Sequence, residues 1–137
     1  MNSFGYSGTP LARKLGIKEG FRVRVQNAPE DYESLLDPVP RDTVISSRVT
    51  RNVDMWHLFT KSRNELAATL LVAMAAIRQD GAIWVSWPKK ASGVPTDVTE
   101  DVIRELALPL GLVDVKVCAV DETWSGLKLV IRKDNRH

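Results

Sequence analysis

Alternation of apolar and polar side chains first becomes regular at Phe21-Arg22-Val23-Arg24-Val25-Gln26. Phe21, Val23 and Val25 fall on one face and Arg22, Arg24 and Gln26 on the other, a period of two that predicts a strand with one exposed side. Upstream, residues 10–15 are bracketed as a short helix. Thr9 suits the N-cap, Pro10 the first turn and Gly16 the position after the last turn. Residues 29–36 read as one or two helical turns, and the prolines in 37–42 make a loop by withholding donors and restricting their neighbours. A short strand is predicted over 43–47 and a loop over 48–52. Met55 to Thr60, apolar on both faces, predicts a central strand.

In the second half, Ser62-Arg63-Asn64-Glu65 has the form of a capping box. It opens a helix to about Gln79 that carries Leu66, Leu70, Leu71, Met74 and Ile77. Its apolar residues exceed one stripe, which predicts either deep packing or a contact between two copies of the chain. Asp80-Gly81 turns into Ala82-Ile83-Trp84-Val85-Ser86-Trp87, a second near-continuous apolar strand. Residues 89–95 form a loop. Asp97 followed by Glu100 resembles another capping box, and Val102, Ile103, Leu106 and Leu110 follow at helical spacing. Gly111 ends that helix and Pro109 makes its last turn irregular. Strands are predicted over 113–120 and 127–132, joined by a turn over 121–126.

Strands alternating with helices favour a parallel sheet with right-handed crossovers. The last two strands are joined too tightly for a crossover, so the final strand is expected to be antiparallel. The fold class is therefore α/β: three layers around a mostly parallel sheet of about six strands, Rossmann-like. By analogy with the tail of the class I methyltransferase fold, the expected strand order is 2-1-3-4-6-5. The whole chain, 1–137, reads as one domain with an N-terminal arm to residue 20 and a polar tail from 133.

Composition changes this picture little. The 137 residues are 44% hydrophobic and 26% charged with a formal net charge of +2, which does not point to nucleic acid. Arg22 and Arg24 on one strand face, with Arg13, Lys14 and Lys18 upstream, are too diluted by acidic residues to form a binding stripe. A single cysteine, Cys118, rules out an internal disulfide and a multi-cysteine zinc site. The first residues lack the features of a secretory signal, and the apolar run 66–77 is shorter than the ~20 residues that span a bilayer. A soluble cytoplasmic protein is the expectation.

Three segments resemble a known family: Gly5-Tyr6-Ser7-Gly8-Thr9-Pro10-Leu11-Ala12-Arg13-Lys14-Leu15-Gly16, Trp84-Val85-Ser86-Trp87-Pro88-Lys89-Lys90, and Val117 to Lys128 with its Asp121-Glu122-Thr123-Trp124-Ser125-Gly126 turn. Together they are similar to bacterial proteins catalogued as domain of unknown function 3052. The resemblance covers nearly the whole chain. It implies a bacterial source and no particular activity, so it carries no catalytic residues over.

Chemistry in an open parallel sheet is expected outside the carboxyl ends of the strands, at the switch in strand order. Here that point lies between Asn27 and Thr60. The most suggestive loop is Trp87-Pro88-Lys89-Lys90-Ala91-Ser92-Gly93, in which Lys89, Lys90, Ser92 and Gly93 would suit a small anion such as phosphate. The plainer alternative, solvated lysines on a turn, is favoured by base rate. Tyr6-Ser7-Gly8-Thr9 is a weaker candidate against simple capping. Trp124, unexpected in a turn, either covers a pocket or packs over the sheet end. His57 on an apolar strand reads as a hydrogen-bonded core residue, Cys118 as a small buried hydrophobe, and Asp121-Glu122 as an acid/base pair or simply a solvated turn.

Two function classes follow, with a nucleic-acid accessory protein using the Arg22 and Arg24 face as a third, weaker option. The first is a non-catalytic regulatory or interaction module that takes a small anionic ligand or a protein partner at the strand-end edge. The second is a transferase on a methyltransferase-like sheet. Against the second, Gln26-Asn27-Ala28-Pro29-Glu30-Asp31 has no glycine after the first strand, and Ser46-Ser47-Arg48 replaces the carboxylate expected after the second. No cofactor and no metal are predicted, and the site residues are Asn27, Thr60, Lys89, Lys90, Ser92, Gly93 and Trp124. The apolar helix adds a homodimer as an expectation.

Overall fold

The computed structural model describes residues 9–137. The first helix, α1 (Leu11–Leu15), buries Leu11, Ala12 and Leu15 and ends at Gly16, whose φ of 85° is the left-handed conformation glycine adopts freely. Thr9 does not cap it; the residue at that position is Pro10, with no side-chain bond to the helix. Next come β1 (Arg22–Gln26), α2 (Tyr32–Leu36), β2 (Val44–Ser46) and β3 (Val53–Phe59). The second half is α3 (Arg63–Ala76), β4 (Ile77–Pro88), α4 (Glu100–Ala107), β5 (Leu112–Ala119) and β6 (Trp124–Ile131).

The six strands form one sheet in the order β2-β1-β3-β4-β6-β5. The pairs among β2, β1, β3 and β4 are parallel, while β6 runs antiparallel to both β4 and β5. This is the α/β sheet expected from the alternation of elements, with the last strand inserted between the fourth and fifth.

Each face of the sheet has its own core. On one face α3 and α4 pack over Trp56, Leu58, Ile83, Val85, Leu127 and Leu129. On the other α1 and α2 cover Val23, Met55, Phe59 and Trp84. Trp84 and Trp87 go to opposite cores, as the pleat requires of residues three apart. The buried Trp84 indole donates to the carbonyl of Leu15 at 2.9 Å, which fastens α1 to the middle of the sheet.

Three local readings are corrected by the packing. Ser62 accepts from the amide of Glu65 as a capping box requires, but the Glu65 side chain does not return the bond; the Ser62 amide donates to Thr60 Oγ1 instead. The helix stops at Ala76 because Ile77 already pairs with Val53, and Gly81 belongs to the irregular start of β4. A Cβ at Gly81 would lie 3.0 Å from the Asp54 carbonyl, so glycine is needed for the close strand approach. Finally, α4 is capped by Thr99, which accepts from the Val102 amide, while Asp97 reaches across to accept from the Arg63 amide at the start of α3.

Candidate functional site

The switch point between β1 and β3 is built by the first residue after each strand. Asn27 takes a φ of 60°, a left-handed conformation that asparagine tolerates better than most residues. From there its Nδ2 donates to the Phe59 carbonyl at 3.1 Å and to Glu65 Oε2 at 3.0 Å. Thr60 Oγ1 donates to the other carboxylate oxygen of Glu65 at 2.5 Å. Asn27, Thr60 and Glu65 therefore close the crevice with bonds among themselves.

The amino end of α3 points to the same place and would ordinarily attract an anion. Its donors are largely taken from within the chain. The Asp97 carboxylate holds the Arg63 amide at 2.7 Å and the Ser62 hydroxyl holds the Glu65 amide at 3.2 Å. Two carboxylates, Asp97 and Glu65, thus stand where a phosphate would have to sit.

The lysine loop lies further along the same edge. The Lys89 amide donates to the Thr123 carbonyl at 2.7 Å, and Pro88 pairs with Trp124, so Lys89 and Trp124 are neighbours. Ser92 uses its hydroxyl inside the turn, donating to the Lys89 carbonyl and accepting from the Val94 amide. Gly93 serves the turn through a φ of 75°. Among the described residues neither Lys89 nor Lys90 pairs with a carboxylate. Trp124 packs edge-on against Phe59 with ring centroids 5.1 Å apart. Phe59 thereby links the two groups, its carbonyl to Asn27 and its ring to Trp124.

Behind this edge His57 is sealed in the core. Its Nδ1 meets the Tyr32 hydroxyl and its Nε2 the Ser86 hydroxyl, each at 2.8 Å, with His57 and Ser86 both fully buried. Burial pushes the imidazole pKa down to about 3 and the Tyr32 phenol well above its usual range. The chain of hydroxyl, imidazole and hydroxyl looks like a proton relay, but its members are shut off from any substrate. It satisfies polar groups within an aromatic cluster that also contains Phe59, stacked on His57 at 4.3 Å.

Sequence reasoning missed a cleft of about 370 Å³ where α1, α2 and the β5–β6 turn converge. Asp31, Asp37, Asp121 and Glu122 line it together with Lys14, whose Nζ donates to the Ala119 carbonyl. Only Asp121-Glu122 had a local signal; the other walls come from segments that no short-range pattern connects. Arg24, read as part of an exposed basic face, lies 4.5 Å over the Trp56 ring and donates to the Val49 carbonyl. Of the tyrosine-to-threonine candidate over residues 6–9, only Thr9 lies within the described residues. Cys118 is half-buried, and burial raises its thiol pKa, which disfavours the reactive thiolate.

The family model described as "Protein of unknown function (DUF3052)" matches residues 12–133. No curated protein matches the chain. Among solved structures, a putative type 11 methyltransferase from Sulfolobus solfataricus superposes with a TM-score of 0.68 at 13% identity, over 98% of this chain and 97% of that one. A SAM dependent methyltransferase from Aquifex aeolicus does so with a TM-score of 0.62 at 10% identity, over 93% and 92%. These likenesses are of fold. No described helix is long and apolar enough to cross a membrane.

Proposed function

We infer that this chain, which belongs to the DUF3052 protein family of unknown function, is a non-catalytic binding module built on a methyltransferase-type sheet. Its ligand is a small anion held at the carboxyl edge of the sheet beside Lys89, Lys90 and Trp124. The observation that carries this reading is the closed switch point. A nucleotide-type cofactor needs backbone amides free to approach it there, and Asn27, Thr60 and Glu65 fill that place with mutual hydrogen bonds. Lys89 and Lys90, which pair with no carboxylate among the described residues, support the choice of an anion over a cation.

Native mass spectrometry of the freshly purified chain tests the reading. A retained anionic molecule whose affinity falls in Lys89→Ala/Lys90→Ala, with the fold intact, is the expected result. Retention of an S-adenosyl compound would instead favour a transferase. The same spectrum reports mass. α3 turns Leu71 and Val72 outward, 60% and 58% exposed, and these are the residues through which a homodimer is proposed to form. A monomeric mass in light scattering removes that part.

A further inference from the structure

α1 and α2 cover the face they share with β1, β3 and β4, and on the part of that face over β5 and β6 two lysines lie beside Cys118 and Trp124, which still pack against the core. Lys116 stands directly opposite Lys128 in the antiparallel pair, and Lys128 is in turn paired with Trp84. Like charges opposite one another on adjacent strands are destabilising, so this arrangement needs compensation. Lys18, just beyond α1, adds its charge to the same cluster. Among the described residues none of these three lysines pairs with a carboxylate.

What the Lys116 ammonium does contact is backbone. Lys116 Nζ donates to the Lys14 carbonyl at 3.0 Å. An ammonium has three N–H groups, so Lys116 retains spare donors. Lys128 Nζ has no acceptor among the described residues. It sits 3.4 Å from where a Cβ on Gly16 would be, in a half-buried position on the floor of the cluster. Its pKa is lowered by burial and by the charges of Lys116 and Lys18, so the ammonium is held at a cost that a counter-ion would remove.

We propose that Lys18, Lys116 and Lys128 form a second anion site, distinct from the strand-end edge, that takes the phosphate group of a small phosphomonoester. A dianion matches converging ammonium groups better than a monoanion, and a half-buried floor favours a compact head group over an extended polymer. The site stands independently of the reading given above for Lys89 and Lys90.

The test is an amide-resolved NMR titration of the full chain with inorganic phosphate at constant ionic strength. Saturable shifts are expected at Gly16, Lys18, Lys116 and Lys128. Lys128→Met, which keeps most of the aliphatic stem, should weaken binding by about tenfold or more, the loss expected for a charge-assisted bond. Lys116→Gln provides a second variant should the first perturb the fold. Lys89→Ala/Lys90→Ala should leave these shifts unchanged. Shifts that do not saturate, or that persist in both cluster variants, would overturn the proposal and leave the lysines as ties between α1 and the sheet. Tighter binding of a single-stranded oligonucleotide than of phosphate would overturn the choice of a small ligand.

Discussion

At the scale of single residues, a histidine enclosed by a phenol and a hydroxyl keeps its folded form neutral. The unfolded ring takes up its proton below about 6.5, while the folded one resists down to about 3. His57 therefore contributes stability that is complete above the higher value and is lost as pH falls through the window between them. The slope is about 1.4 kcal/mol per pH unit for one proton. Urea midpoints at pH 7 and pH 5 should differ more for the wild type than for His57→Gln, whatever the variant's baseline. Equal pH dependence in the two would contradict a neutral buried ring. Asn27 is the second case. Asn27→Ala removes two side-chain bonds and leaves a positive φ that alanine dislikes. A loss of about 1–3 kcal/mol in urea denaturation is expected, and Asn27→Gly should lose less because glycine accepts the backbone.

At the scale of elements, α3 and α4 are joined through their amino ends. Asp97 caps the neighbouring helix and Thr99 its own. Thr99→Ala is expected to cost about 1 kcal/mol and to speed hydrogen exchange at the Val102 amide, whereas Asp97→Ala should speed it at Arg63. Faster exchange at the Glu100 amide in Asp97→Ala would instead restore the capping box that the sequence suggests. Within α3, Leu70 is buried and Leu71 is 60% exposed. Leu70→Ala should cost about 2–5 kcal/mol by leaving a cavity, and Leu71→Ala in the monomer about 0.5 kcal/mol or less, measured by the same denaturation. A rotation of about 100° per residue separates these neighbours. That rotation is why apolar character alone could not say which of the two faces the sheet.

Across the whole molecule, insertion of β6 between β4 and β5 brings Gly126 under Trp84 and beside Ser86. A Cβ there would lie 3.1 Å from the Trp84 ring and 3.2 Å from Ser86 Oγ. Gly126→Ala should therefore lower the melting temperature by several degrees through a shift of Trp84, which also holds α1. An unchanged melting temperature would mean that the ring moves freely. The same insertion sets Lys128 beside Trp84 and opposite Lys116. A lysine cluster arises there from three separate stretches of chain.

The α/β class was legible because periods of two and 3.6 residues, turn chemistry and the short last connection act locally and bias the chain before it folds, whereas the strand order came from analogy with the methyltransferase fold. Asn27 and Thr60 were placed at the switch point for the same reason: each ends a readable strand. What they do there was not legible. Glu65 was read as half of a capping box, yet its carboxylate serves Asn27 and Thr60. Ser92 and Gly93, expected as ligand groups, also shape their own turn. The destination of a hydrogen bond depends on which donors and acceptors the fold brings within about 3 Å, and those lie far apart in the chain. The amino-acid sequence by itself determined which elements form and in what order along the chain. Only the tertiary structure decided which polar groups satisfy one another and which, like the ammonium of Lys128, remain without a partner among the described residues.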